Sequence, residues 1–306
     1  LAALHCFTKQ SLNIVILEVG LGGRLDATNI IDSDVAVITT IGLDHQDWLG
    51  YSLDAIGREK AGIMRPQRPV VYGAIDMPSS IQKHATELNA PLYRRGLAFD
   101  GGENKDNWFW SGLSTVGNSV KEQDLPIPKL ELDNAITALQ VLQFLPQPVS
   151  HQQIILGLEK AALPGRAQTI QWRNKKGYLI DVVLDVAHNP QAAERLAAFL
   201  HKTKKTGKTT AVFAIASDKD RISVLDLLKP HINHWFITAF DSPRALSLAV
   251  LTKTLEQIDA EFTPSKNVIE GFTQAVNQSA QEDRVLVTGS FMTVAKVLAL
   301  VRELPK

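Results

Sequence analysis

The feature that most constrains this chain is a set of short, uninterrupted apolar runs, rich in valine and isoleucine and each too short for a helix. They fall at residues 13–19, 35–41, 70–72, 180–186, 210–216, 235–239 and 285–288. A strand that is apolar along its whole length is buried on both faces, as in parallel sheets, whereas a strand with one wet face alternates. Between most of the runs lie helical patterns, at 53–63, 135–144, 190–200, 222–228, 246–258 and 292–301. Strands and helices in alternation require right-handed crossovers, so the predicted class is α/β with doubly wound parallel sheets.

Two gaps break the alternation. Between Gly96 and Gly117, Trp108, Phe109 and Trp110 sit among Gly, Asn and Ser, which predicts a small hairpin excursion. After a helix around 152–160, Leu163-Pro164-Gly165-Arg166 interrupts the pattern before a new series starts. Pro and Gly there predict an interdomain joint, with domains at residues 1–162 and 163–306. A length of 306 residues gives each domain an ample core.

Lys+Arg and Asp+Glu both number 32, so no basic field exists to hold a nucleic acid or an anionic membrane. One cysteine, Cys6, excludes an internal disulfide, and the first residues lack a signal-peptide pattern. The longest apolar stretch, 285–301, is broken by Thr288, Gly289, Ser290 and Lys296, short of a membrane span. These features predict a cytoplasmic protein, expected as a monomer, with small-molecule rather than nucleic-acid or membrane partners. The first residue is Leu1 and the chain enters in what reads as the middle of an element, so a truncated piece is expected.

In open α/β sheets, ligands collect outside the carboxyl ends of the strands. Polar residues stand there repeatedly: Glu18 in the first run, Asp44 and His45 after the second, Asp185 and His188 after the fourth, Ser217 and Asp218 after the fifth. One such residue reads best as a solvated loop group, but four strands ending this way point to a site. Glu18, following Ile14 to Leu17, reads as a buried carboxylate, costly unless paired, hydrogen-bonded or on a metal. His45 suits a general base or a transition-metal ligand, with a structural histidine as the plain alternative. The loop at 20–29 (GLGGRLDATN) places Leu25 where a dinucleotide fingerprint needs its third glycine, and no P-loop motif occurs. A tight turn with positive φ is an equal reading of that loop.

In the helix at 53–63, Lys60 falls four residues after Ile56, on the apolar face, so its ammonium points inward. Snorkelling is the ordinary outcome, and a desolvated, reactive amine the functional one. Arg58 and Glu59 read as a solvated charged edge. In Asp185-Val186-Ala187-His188-Asn189-Pro190, Asn189 suits a helix N-cap and Pro190 a first helical residue. That leaves Asp185 and His188 without a structural explanation.

Taken in order, residues 17–29 (LEVGLGGRLDATN), 42–50 (GLDHQDWLG), 57–63 (GREKAGI), 163–166 (LPGR), 185–190 (DVAHNP), 217–220 (SDKD) and 289–295 (GSFMTVA) resemble the folylpolyglutamate synthase and dihydrofolate synthase family, relatives of the Mur ligases. The likeness is to the bifunctional bacterial type. It implies a Mur-ligase-type central ATPase domain, truncated so that it lacks its P-loop, and a carboxyl-terminal Rossmann-like doubly wound domain. The implied activity is an ATP-dependent amide ligase that activates the carboxylate of dihydropteroate or of a folate as an acyl phosphate and joins it to L-glutamate. The resemblance gives Glu18 and His45 to magnesium and makes Lys60 a carbamylated, anionic oxygen ligand. It gives Asn134 to adenine, Arg166 and Asp185 to phosphate and ribose, and His188 to a further active-site position. Asp26 and Ala27 fall in the loop implied for the pterin, and Ser217 near the glutamate. Ser217 and Met292 depart from frequent histidines, and residues 1–306 alone are expected not to turn over ATP.

Other readings are a noncatalytic nucleotide-binding fragment, a Mur-type ligase for another amino acid, and a metal hydrolase using Asp44, His45, Asp185 and His188. The last requires those four residues to share one metal.

Overall fold

Three parallel strands organise the first half of the chain. The computed structural model describes residues 2–302, which fall into two units, one ending at Ala161 and the next beginning at Ala162. In the first, α1 (Ala2–Thr8) and a 3-10 turn at Ala27–Ile30 precede β1 (Ala36–Ile38), α2 (Gln46–Leu49), α3 (Leu53–Ala61), β2 (Val70–Tyr72), α4 (Ser79–Glu87) and β3 (Leu92–Arg94). The sheet order is β1-β2-β3, with Ala36 beside Val70 and Val70 beside Leu92. The central strand, Val-Val-Tyr, is wholly buried, as a strand covered on both faces must be. On one face Ile38 and Tyr72 pack with Ile56 of α3 and Ile81 of α4.

The other face meets a second layer through Val71. This layer holds β4 (Asp100–Glu103), β5 (Asn107–Leu113), β6 (Ser119–Pro126), α5 (Leu132–Leu142) and α6 (His151–Lys160). Trp108 and Trp110 alternate inward along β5 while Phe109 faces out. Their indole N–H groups donate to the carbonyls of Pro126 at 2.9 Å and Ile136 at 3.1 Å, so neither polar edge is buried unpaired.

Two expectations fail in this unit. The excursion expected as a hairpin is a three-stranded antiparallel sheet reaching Pro126. Its third strand, SVKEQDLP, is half exposed and largely polar, so its apolar signal is weak. The run at 13–19 is not a strand: Ile14 is 54% and Ile16 89% exposed, and Glu18 is exposed with them. An apolar run becomes a buried strand only where a neighbour supplies hydrogen bonds, and among the described residues β1 ladders with β2 alone.

The second unit continues with β7 (Gln168–Arg173), β8 (Leu179–Leu184), α7 (Pro190–Lys202), β9 (Thr209–Phe213), α8 (Arg221–Leu228), β10 (His234–Ile237), α9 (Leu248–Gln257), β11 (Phe262–Pro264), α10 (Val268–Gln278), β12 (Arg284–Thr288) and α11 (Phe291–Arg302). The sheet order is β11-β10-β9-β12-β8-β7, parallel except for β7, which runs antiparallel to β8. Helices α7, α8 and α9 bury Leu196, Leu225 and Leu251 on Val183, Ala211 and Leu286. Helices α10 and α11 bury Phe272, Val276, Val294 and Val297 on Val182, Val212 and Val285. The sheet is thus doubly wound, as the alternation predicts. β12 lies inside it with all five residues buried, which is why its sequence is RVLVT and not an alternating one.

Candidate functional site

In the first unit, the 20–29 loop is built around Asp26. Its carboxylate accepts from the Thr28 N–H at 2.8 Å, the Thr28 hydroxyl at 2.7 Å and the Gly20 N–H at 3.0 Å. The Thr28 bonds foremost hold this carboxyl below the usual carboxylate range. Asp26 is therefore the loop's internal anchor, and Ala27 beside it is exposed. Gly22 has φ +67°, while a Cβ on Gly23 would stand 3.0 Å from the Glu59 carbonyl oxygen and 3.1 Å from that of Lys60. One glycine is thus required by conformation and the other by close approach.

The same last turn of α3 is stitched to the loop by Arg24. Its N–H donates to the Glu59 carbonyl at 2.9 Å, and its guanidinium pairs with the Glu59 carboxylate at 3.0 Å. Asn29 donates to the carbonyls of Arg24 and Gly62 at 3.1 and 3.0 Å. Glu59, read from its helical position as part of a solvated edge, is instead the partner that carries the loop.

Lys60 follows Glu59 on that turn and is partly buried. Burial lowers its affinity for a proton, and the charge of Asp44 opposes this. The Asp44 carboxylate accepts the His45 N–H at 2.8 Å and lies 3.9 Å from His45 Nε2. His45 adopts a left-handed conformation, φ 51°, immediately before α2, with no cap bond from its ring. The structure thus places Lys60 in the field of Asp44, whose carboxylate accepts from the adjacent His45 N–H. Glu18, on its exposed segment, is not in a buried strand, and the cost assigned to it there does not arise. Among the described residues no three of His, Cys, Asp and Glu stand close enough to hold a metal ion. Asn134 is exposed in the first turn of α5, directly after Asp133, which Arg95 holds at 2.7 Å.

In the second unit the polar residues gather at the carboxyl edge of β8 and β12. Asp185 accepts the Ala187 N–H at 2.8 Å and the Ala167 N–H at 2.7 Å. Burial nevertheless pushes its carboxyl up, against those bonds and the positive Arg166 and His188. His188 Nδ1 lies 2.8 Å from the Val186 carbonyl, so this nitrogen carries the proton and donates. Gly289, φ +98°, donates to the Ala187 carbonyl at 3.1 Å and ties the turn after β12 to the turn after β8. Asn189 accepts the Ala192 N–H at 2.9 Å, the cap that its position before Pro190 predicts. Arg166 is exposed, with its guanidinium carbon 5.4 Å from the centroid of the Phe291 ring. That ring is also 5.7 Å from the His188 ring. Phe291 escapes sequence reasoning because an apolar residue opening a helix reads as core. Its one signal is its place directly after Gly289-Ser290. Ser217 is exposed after β9, with its N–H on the Arg244 carbonyl at 2.9 Å. Among the described residues no helix is long and apolar enough to cross a membrane.

The family model for the Mur ligase, glutamate ligase domain matches residues 165–291. The dihydrofolate synthase/folylpolyglutamate synthase of Escherichia coli (strain K12) is 40% identical over 305 residues, 98% of this chain and 68% of that protein. The structure of E. coli FolC in complex with DHPP and ADP matches 98% of this chain and 69% of that one, at 39% identity and a TM-score of 0.90. The bifunctional enzyme of Yersinia pestis, complexed with AMPPNP and a Mn ion, matches 98% of this chain and 69% of that one, at 42% identity and a TM-score of 0.89. With so much of the chain matched at such identity, fold and sequence agree, and the chain belongs to the dihydrofolate synthase/folylpolyglutamate synthase family.

Proposed function

We propose that this chain is an ATP-dependent acid–amino acid ligase. It joins L-glutamate to dihydropteroate and to folates after activating their carboxylate as an acyl phosphate, acting as a monomer in the cytoplasm. The observation that carries the reading is the match of 98% of the chain, in sequence and in fold, to E. coli FolC in complex with DHPP and ADP. A carboxylate is a poor electrophile; taking a phosphoryl group from ATP gives it a leaving group, and the glutamate amine then displaces phosphate.

The chain's own residues take the following parts in this reading. Asp185, fixed by two backbone N–H groups, receives a ribose hydroxyl. Arg166 meets the phosphates, His188 completes that edge, and Asn134 contacts adenine. Asp26 and Ala27 shape the pterin loop, and Ser217 faces glutamate. Lys60, whose burial favours the neutral amine, adds to carbon dioxide: an N–C bond forms, a proton leaves, and the product is an anionic carbamate. Such an anion beside Asp44 would favour a cation, and the oxygen donors of Glu18 and the carbamate suit a hard divalent ion such as magnesium, with His45 the one nitrogen donor. Glu18, His45 and the Lys60 carbamate would hold it. Magnesium, when bound, stabilises charge on the transferring phosphoryl group.

The test is ADP release by the full-length protein that contains these residues, with ATP, magnesium and L-glutamate, adding dihydropteroate or tetrahydrofolate in turn. Release that needs both glutamate and a pterin is the expected result. Release independent of glutamate, or none with either pterin, overturns the reading.

A further inference from the structure

Phe291 is 57% exposed although it is a large apolar side chain, and it opens α11 at the carboxyl edge of the second sheet. Its ring meets the Arg166 guanidinium at 5.4 Å on one side and the His188 ring at 5.7 Å on another. Little apolar area is gained from such a position, so burial does not explain why the ring is there. What the ring supplies is a π-face of negative potential for a guanidinium, a contact that also restricts a long side chain with many rotamers.

The backbone fixes the ring's own place. Gly289 has φ +98°, and a Cβ there would stand 2.6 Å from the Ala214 carbonyl oxygen, so the turn that delivers Phe291 has one available course. The Ser290 hydroxyl accepts the Met292 N–H at 3.1 Å and closes the turn. Arg166, by contrast, is exposed between Gly165, φ +72°, and Ala167, φ +44°.

We propose that Phe291 is a positioning residue, whose ring holds the Arg166 guanidinium at the Asp185–His188 edge in the orientation that meets the nucleotide phosphates. The inference rests on the ligase reading above and deepens its account of Arg166. Phe291 need not touch the nucleotide; it acts through Arg166.

The experiment is a double-mutant cycle in the full-length protein that contains these residues. Glutamate-dependent ADP release is measured for Phe291→Leu, Phe291→Tyr, Arg166→Ala and Arg166→Ala/Phe291→Leu, with a thermal melt of each. Leucine keeps apolar bulk without a π-face, and tyrosine keeps the face. The expected result is a fall in kcat/KM for ATP of about 2- to 5-fold in Phe291→Leu, the span of an exposed cation–π contact. Phe291→Tyr should keep wild-type values, melting temperatures should hold, and the Phe291→Leu effect should vanish once Arg166 is alanine. Full activity in Phe291→Leu, or a loss that persists in the Arg166→Ala background, overturns the positioning role alone. Full activity in Arg166→Ala overturns the phosphate role of Arg166, and with it the role of Phe291.

Discussion

Lys60 is held where its charged form is disfavoured. Its native pKa lies below that of the unfolded chain, near 10.5, so the native state loses the proton first as pH rises. Stability therefore increases through the window between the two values, and below it the ammonium is a standing cost. Lys60→Met should accordingly leave the melting temperature unchanged or raise it, while ligation falls by about 100-fold or more, the scale on which losing one charge-stabilising group acts. A melt and an ADP-release assay on the same preparation decide this; lower stability with intact activity would return Lys60 to a snorkelling role. Asp185 and Asn189, four residues apart, should separate equally cleanly. Asp185→Ala weakens ATP binding, whereas Asn189→Ala costs about 0.5–2 kcal/mol of stability through the lost cap and leaves ATP affinity in place. Calorimetric ATP titration beside denaturant unfolding checks both. At this scale the sequence was legible where one helical period or one cap decides the outcome, as at Lys60 and Asn189. It misled at Glu18 and Glu59, whose surroundings are set by segments distant in the chain.

Among elements, the central strands of the second unit and all its helices but α10 could be read off apolar runs and periodicity, because strands covered on both faces advertise themselves. β3, β7 and β11 could not. β7 alternates and exposes every second residue, and β3 and β11 are three residues long with no buried position. The run at 13–19 shows the converse, strand composition without a ladder. The seam between α3 and the 20–29 loop was invisible for another reason: it depends on a glycine whose role is to be small. A Cβ on Gly62 would stand 2.6 Å from Arg24 Cα, a backbone atom that has no rotamer to change. Gly62→Ala should therefore push the loop from the helix, costing about 1–3 kcal/mol as overpacking does. In the reading proposed here it should raise KM for the pterin substrate more than KM for ATP. Steady-state kinetics with each substrate varied in turn, together with a melt, test this.

For the whole molecule, each unit has cores of its own, formed in the second by the two faces of one six-stranded sheet. Residues 162–306 expressed alone should fold, giving an α/β circular dichroism spectrum and a single cooperative melt; a molten spectrum or a broad transition would show that this core needs the rest of the chain. The alternation of runs made this architecture legible, since each crossover is local, whereas in the first unit the layer β4 to β6 was legible only as a hairpin, its polar third strand going unread. The two borders of the larger sheet have one further consequence. On one side β11 is three residues long and ends in Pro264, which has no amide hydrogen to offer. On the other, β7 turns outward Thr169, Gln171 and Arg173 and runs against its neighbours' direction. Neither border is a template on which a stray strand from another molecule can grow, so crowding should not seed fibrils or edge-to-edge aggregates from this sheet.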